Sequence, residues 1–266
     1  MPSLNMTHPI NLNKRNGWLG LIPTQGLRAI LDPENAAIRR FLVEQSRLLP
    51  PNSLVLDGGA GKKPYQNLFN EHSYQSCDMP GGFYSNTHDF ECFLNQIPVP
   101  DHSYDAVILT QVLEHTQNPD EVLLEMNRIL KPGGRLLISV PLNAPLHGEP
   151  WHFFHFTHYG IYTLSARTGF NVSDCEKLGG SFWCLGKRIP DAFNKLLKQY
   201  DPFRAKKRGL SITYCVAMNI ALLPVYVFGY GISAYLIRPL FYYLDYLDYK
   251  KDFTLGYCAV LQKDNA

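Results

Sequence analysis

At 266 residues with 45% hydrophobic content, the chain is long enough to bury a full core and reads as one sizeable globular unit plus an appendage. A formal net charge of +2 gives no global field of the kind that marks a nucleic-acid binder, so no nucleic-acid partner is expected. The six cysteines show no paired metal spacing and read as reduced thiols; the start, Met1-Pro-Ser-Leu-Asn5, lacks a signal-peptide pattern, and a cytoplasmic location is expected.

Residues 1–33 are turn-rich. From Asn35 to Leu49, apolar residues at Ala37, Ile38, Phe41, Leu42 and Leu48 recur at helical spacing, which predicts a helix leading into the first strand. Leu54-Val-Leu-Asp57 is a short apolar run that ends in an acid, and Gly58-Gly-Ala-Gly61-Lys-Lys63-Pro64 follows. Val55 and Leu56 suit a buried parallel strand, Gly59 and Gly61 let backbone approach a ligand, and Pro64 is predicted to open a helix. Such a turn points to a nucleotide at the carboxyl end of the strand. A dinucleotide loop wants Gly-x-Gly-x-x-Gly; Pro64 stands at the third glycine, which disfavours a pyrophosphate.

Tyr74-Gln-Ser-Cys-Asp78 reads as a second strand ending in an acid, about twenty residues after the glycine turn, where an acid grips ribose hydroxyls. Tyr104 to Leu109 supplies a third strand, and Gln111-Val-Leu-Glu114-His115 follows it directly. Asn118-Pro119-Asp120-Glu121 has the residues of a helix start, Val122, Leu123, Met126, Ile129 and Leu130 form its buried stripe, and Lys131-Pro-Gly-Gly134 is predicted to stop it. A strand over Leu136 to Val140, a helix over Tyr159 to Thr168 and a strand over Phe170 to Asp174 come next.

Asp57-x-Gly-x-Gly61, Asp78, Val112-Leu-Glu-His115 and Arg128-x-Leu-Lys-Pro-Gly-Gly134 together resemble the class I S-adenosylmethionine-dependent methyltransferases, in particular the family often called methyltransferase type 11. The resemblance implies an α/β fold, a Rossmann-like seven-stranded doubly wound sheet with an antiparallel last strand, Phe253 to Leu261. Here a helical apolar insertion precedes that strand. The expected divisions are an N-terminal segment and helix (1–52), the methyltransferase core (53–186), a basic and apolar helical insertion (187–251) and the last core strand (252–266). Lys63 stands where relatives usually have a further glycine.

The implied cofactor is S-adenosyl-L-methionine. Asp57, Gly58, Gly59, Ala60 and Gly61 would meet its methionine and ribose portion, with backbone N–H groups at the helix start favouring its carboxylate. Asp78 would accept from the ribose diol, Met79 would lie against the adenine, Asp89 and Phe90 would meet the adenine amino group and ring, and Thr110 and Gln111 would line the wall. The competing reading of Asp57 and Asp78 is that they merely cap loops.

Methyl transfer is an in-line displacement in which positioning does most of the work, but an oxygen or nitrogen acceptor also has a proton to lose. Pro141 to Thr157 is dense in titratable groups and is the expected acceptor loop, with His115, Glu149 and His152 as candidate catalytic residues. His115 has an alternative task, holding the loop through a backbone hydrogen bond. His147, Glu149, His152 and His155 lie on irregular chain without established ligand spacing, so no metal is expected. Trp151, Phe153, Phe154 and Phe156 read as acceptor-facing or core.

Ser211 to Ile237 carries no charged residue, and Lys187 to Arg208 before it carries eight Lys or Arg against Asp191 and Asp201. The apolar stretch is long enough to span a bilayer, yet a single crossing would put the last strand on the wrong side of the membrane. The expectation is a helical insertion lying in the interface, its basic cluster on anionic lipid and its tyrosines at headgroup level. The alternative is an apolar lid covered by the domain or in a homodimer. The expected activity is O-methylation of a lipid-linked or amphiphilic acceptor, such as a cell-envelope glycan precursor, at the inner membrane face. The alternatives are a quinone-type methyltransferase and a non-catalytic membrane-surface binding protein that keeps the fold.

Overall fold

The computed structural model describes residues 27–82 and 87–265, so the turn-rich reading of the first 26 residues lies outside the described residues. The described chain forms two compact units, 37–178 with 255–265, and 27–36 with 179–254.

The first unit is built on seven strands: β1 (Leu54–Gly58), β2 (Ser73–Asp78), β3 (Phe90–Glu91), β4 (Tyr104–Thr110), β5 (Leu130–Pro141), β6 (Phe170–Lys177) and β7 (Gly256–Lys263). They lie in the order β3-β2-β1-β4-β5-β7-β6. The pairs among β3, β2, β1, β4 and β5 are parallel, whereas β7 runs antiparallel between β5 and β6. The expected α/β architecture with its antiparallel last strand is what the chain adopts. Parallel strands covered on both faces need apolar residues throughout, and Val55, Leu56, Ala106, Val107, Ile108 and Leu109 are all fully buried. Gly256 opens β7 because a Cβ there would lie 2.3 Å from the Val140 carbonyl oxygen.

Helices α2 (Pro33–Arg47), α3 (Pro119–Ile129) and α4 (His158–Arg167) match the predicted periodic stretches. On α3, Val122, Leu123, Met126 and Ile129 are buried, as the spacing predicts. Arg128 fixes the approach to β4 by donating to the carbonyls of Ile97 and Val99 while pairing with Glu125 and Asp101. Lys131-Pro-Gly-Gly134 ends α3 but also belongs to β5, which starts one residue after the helix.

Pro64 opens no α-helix. Between Gly61 and Ser73 the chain makes only a single 3-10 turn over Gln66–Leu68. Tyr65 and Phe69 are its buried anchors, four residues apart, and polar Asn70, Glu71 and His72 then offer nothing to extend the stripe.

In the second unit, α1 (Leu27–Leu31) accompanies α5 (Ser181–Gln199), α6 (Ile212–Ile232), a π-helical turn (Ser233–Ile237) and α7 (Arg238–Leu244). Gly186 and Gly229 let helices approach: a Cβ would lie 3.3 Å from Phe241 Cβ at the first and 2.3 Å from the Phe193 ring at the second. Asp245, fully buried, accepts from the N–H groups of Gly180 and Trp183 at the start of α5 and pairs with Lys251 at 2.9 Å. The continuous helical stretch Ile212–Leu244 is long and apolar enough to cross a membrane, and little of it is buried.

Candidate active site

The glycine turn hangs from β1 and is tied to β2. Gly59 and Ala60 N–H both donate to the Cys77 carbonyl, at 2.9 and 3.1 Å, and Gly61 N–H donates to Asp78 Oδ2 at 2.9 Å. The expected helix-start N–H groups for the cofactor's carboxylate are therefore absent here: no helix begins, and these three donors already have protein acceptors. Gly59 and Gly61 both take left-handed backbone, φ +67° and +52°, and a Cβ on Gly59 would strike Val112 Cγ2 at 2.8 Å. The turn is thus a bare backbone cradle at the carboxyl ends of β1, β2 and β4, the crevice where open α/β sheets bind ligands.

Lys63 also takes left-handed backbone, φ +54°, at the position where the sequence comparison misses a glycine. A side chain there costs about 1 kcal/mol or more. Lys63→Gly is expected to raise thermal stability by roughly 2–4 °C while leaving cofactor affinity within a few-fold, measured by thermal melts and calorimetry.

Two acids face the cradle. Asp78 ends β2, and its carboxylate also accepts from Met79 N–H at 2.7 Å, so backbone donors hold it with further lone pairs available. Asp57 is fully buried and accepts from the Tyr74 hydroxyl at 2.6 Å, while its Oδ1 finds no hydrogen-bond partner among the described residues. Such a buried acceptor fits a ligand that brings a donor, as a cationic methionine ammonium does. The cradle, Asp78 and the orphaned Asp57 oxygen together fit S-adenosylmethionine.

Burial pushes the Asp57 carboxyl up from its ordinary 3.8 to about 7; the Tyr74 hydrogen bond opposes this, Asp78 adds to it and Lys63 subtracts. A raised acid is stabilising in its protonated form, so its contribution is full below about pH 4 and is lost as pH rises through about 7. The ionised form is the one a cationic cofactor favours. Asp57→Asn is accordingly expected to stabilise the cofactor-free protein at pH 8 by at most about 4 kcal/mol, seen as a higher melting temperature, and to weaken S-adenosylmethionine binding there. In the unsubstituted protein, affinity is expected to increase between pH 6 and pH 8.

The remaining cofactor candidates fall around this centre. Met79 is exposed and half-buried Thr110 ends β4. Gln111 follows in left-handed backbone, φ +55°, with its side-chain amide 3.3 Å from Ser139 Oγ. Asp89 Oδ2 accepts from Ser76 N–H and Oγ at 2.8 and 2.9 Å, and Phe90 begins β3 against the core, so this pair shapes the rim of β2. Reading the sequence missed Tyr74, the partner of Asp57, and His88, whose Nε2 lies 3.8 Å from Asp78 Oδ2. Period-two alternation from Asp78 would have placed Tyr74 on the acid's side of β2.

The acceptor loop folds back onto Glu114. Phe153 and Phe154 N–H both point to the Glu114 carbonyl, at 2.8 and 3.3 Å. His115 Nδ1 bonds to the Trp151 carbonyl, so the loop-holding task is one it performs. Burial keeps the His115 imidazole below its ordinary value, and it is therefore neutral at pH 7. The rings of His115, His147 and His152 cluster with centroids 4.4–5.5 Å apart, and His155 meets His152 edge to face at 4.8 Å. Glu149 is exposed on the same loop. Trp151, Phe153 and Phe154 are exposed, whereas Phe156 belongs to the core. One donor atom each from Glu114, His115 and His147 lies within 4.8 Å of the other two, a grouping that could hold a cation.

Comparison with known proteins agrees with this geometry. The family described as "Methyltransferase domain" matches residues 30–169, just over half of the chain. The ubiquinone/menaquinone biosynthesis C-methyltransferase UbiE of Vibrio cholerae is 35% identical over 68 residues, 24% of this chain and 26% of that protein. A Mycolicibacterium smegmatis protein assigned as an S-adenosylmethionine-dependent methyltransferase is 33% identical over 87 residues, 30% of this chain and 34% of its own length. These matches span only about a quarter to a third of the curated relatives' length. Among solved structures, the cyclase SpnF superposes with a TM-score of 0.51 at 19% identity, covering 87% of this chain and 82% of its own. A Galdieria sulphuraria protein assigned as a sarcosine dimethylglycine methyltransferase gives 0.52 at 14% identity, covering 85% of each chain. At such identities these two show the fold alone.

Proposed function

The chain belongs to the methyltransferase-domain family, and from this premise we propose that it is an S-adenosylmethionine-dependent enzyme that methylates a hydroxyl oxygen of a lipid-linked or amphiphilic acceptor at the inner membrane face, a cell-envelope glycan precursor being the favoured case. The observation that carries the reading is the apolar stretch Ile212–Leu244, little buried, preceded by the eight basic residues of 187–208. Membrane contact of this kind brings an active site to acceptors that never leave the bilayer. The antiparallel pairing of β6 with β7 supports an arrangement without a net crossing, because strands before and after the insertion share one sheet. Asn219 donates to the Tyr200 carbonyl and Gly229 meets Phe193, so α5 covers one side of α6 and the other is left for lipid.

In this reading the cofactor lies on the Asp57–Gly61 turn with its ribose on Asp78. Met79 with Asp89 and Phe90 borders the adenine, and Thr110 and Gln111 form the wall beneath the methyl donor. The acceptor enters over Trp151, Phe153 and Phe154, and its hydroxyl is placed among His115, His152 and Glu149. Loop residues 142–157 carry no Lys or Arg, which favours an uncharged reacting group over a phosphate. The UbiE matches favour a second reading, a prenylated quinone-type ring as acceptor.

Incubating the protein with methyl-labelled S-adenosylmethionine and vesicles containing fractionated envelope lipids distinguishes the two. Label in the lipid-linked glycan, recovered by mass spectrometry as a sugar methyl ether, is the expected result. Label confined to the quinone fraction would replace the first reading by the second.

A further inference from the structure

The acceptor loop does more than cover the site: it delivers a second imidazole to a buried carboxylate. We propose that Glu114, His115 and His147 form a binding site for a divalent cation of the zinc class. Their donor atoms lie within 4.8 Å of one another, and His115 Nε2 is 3.9 Å from Glu114 Oε1. Glu114 is fully buried, His115 half-buried and His147 exposed, so a cation would enter from the loop side.

Hydrogen bonding fixes which nitrogen each ring offers. His115 Nδ1 faces the Trp151 carbonyl and His147 Nδ1 faces the Pro145 carbonyl at 3.0 Å. A ring nitrogen against a carbonyl carries the hydrogen, which leaves the lone pair of the neutral imidazole on Nε2 in both cases. A backbone carbonyl on the far nitrogen is also the usual outer support of a metal-binding histidine. The loop is braced to present this arrangement: His147 N–H donates to His152 Nδ1 at 3.2 Å, and the His115 and His147 rings meet edge to face at 87°. Gly148, φ +64°, sits so close that a Cβ would lie 3.3 Å from His115 Cε1.

Two neutral imidazoles and one carboxylate carry a charge of −1 against a dication, a donor set of the sign a cation needs. Ligand bonds of about 2.0–2.1 Å in a tetrahedral shell place neighbouring donors about 3.3 Å apart. Closing from the present spacing is a movement on the order of 1 Å, within reach of an exposed loop histidine. Two histidines and one carboxylate leave a fourth position open, the arrangement of zinc sites that bind a reacting oxygen.

Binding of the cation stands on this geometry alone; its use in methyl transfer rests on the function proposed above. There, the acceptor hydroxyl takes the open position and loses its proton to solvent, because a bound cation lowers the pKa of its oxygen ligand. The oxygen–methyl bond forms as the sulfur–methyl bond breaks, giving the methyl ether and S-adenosylhomocysteine. His115 acts by holding the cation, its Nε2 lone pair being committed to it.

The test uses the full chain, stripped with a chelator and titrated with Co2+, whose visible ligand-field band reports coordination by nitrogen, followed by displacement with Zn2+. One equivalent of Co2+ per chain is expected, with His147→Ala binding about 10- to 100-fold more weakly. His155→Ala, which leaves the three donors in place, is expected to bind as the unsubstituted protein does. S-adenosylhomocysteine affinity serves as the folding control and is expected to be unchanged in His147→Ala. No Co2+ band, or equal Co2+ affinity in His147→Ala and the unsubstituted chain, overturns the site. The titration contains no acceptor, so failure to methylate any envelope lipid would overturn the preceding reading and leave the Co2+ result standing.

Discussion

Asp78→Ala is expected to lower S-adenosylhomocysteine affinity about a hundredfold. Two ribose hydroxyls donating to one carboxylate are charge-assisted hydrogen bonds worth about 1.5 kcal/mol each, which together correspond to a factor of that size. The same substitution removes the acceptor of Gly61 N–H, 2.9 Å away, so the glycine turn loses its tie to β2 as well. Asp78→Asn separates these contributions: it can still accept from Gly61 but has lost the charge, and an intermediate affinity is expected. Thermal melts of the cofactor-free variants serve as the folding control, since Asp78 lies at a strand end and is only half-buried. Unchanged affinity in Asp78→Ala, with the fold intact, would remove Asp78 from the ribose site.

The second large effect is expected on α6 and the π-helical turn that continues it. Ile220, Phe228 and Leu236 are each about two-thirds exposed. Burying such side chains in lipid gains about 1.5–3 kcal/mol apiece. Replacing all three by Asp is therefore expected to shift vesicle partitioning by at least a thousandfold and to abolish flotation with anionic vesicles, leaving S-adenosylhomocysteine affinity unchanged. Flotation of the unsubstituted chain is expected to weaken with salt, because Lys195, Lys198, Lys206 and Arg208 are exposed while Lys187 and Arg188 are paired with Glu34 and Asp191. Equal recovery of the triple variant and the unsubstituted chain with vesicles would end the membrane reading and favour a protein cover for this face.

What the sequence made legible follows from physics that is local in the chain. Buried parallel strands announce themselves as short apolar runs, so β1, β4 and β5 were readable, as was the stripe of α3, whereas the polar β2 was readable from the acid that ends it at the expected distance after the glycine turn. The glycine turn and Asp78 were readable for the same reason, since a left-handed turn and a strand-end acid leave marks within a few residues. The two-residue β3 was not, because two residues establish no period. The missing helix after Pro64 shows the limit of a start signal without an apolar stripe behind it. Tyr74 was hidden because its partner Asp57 is on the neighbouring strand, and a hydrogen bond between strands has no sequence spacing. The Glu114, His115 and His147 grouping was hidden similarly: the sequence places His147 on irregular chain, and only the return of the loop onto Glu114 brings it to the other two. Lys63 illustrates the converse. The departure from glycine was visible, but its meaning, a lysine forced into left-handed backbone, appears only in the structure.

The most direct test of the cofactor assignment is a calorimetric titration of the full chain, in parallel, with S-adenosylmethionine, S-adenosylhomocysteine and NAD. Binding of the first two at one site per chain, tightening between pH 6 and pH 8, with no heat from NAD, is the result that the Asp57–Gly61 turn, Asp78 and Pro64 lead us to expect. Absence of binding by both sulfur compounds, or binding of the dinucleotide in their place, would contradict it.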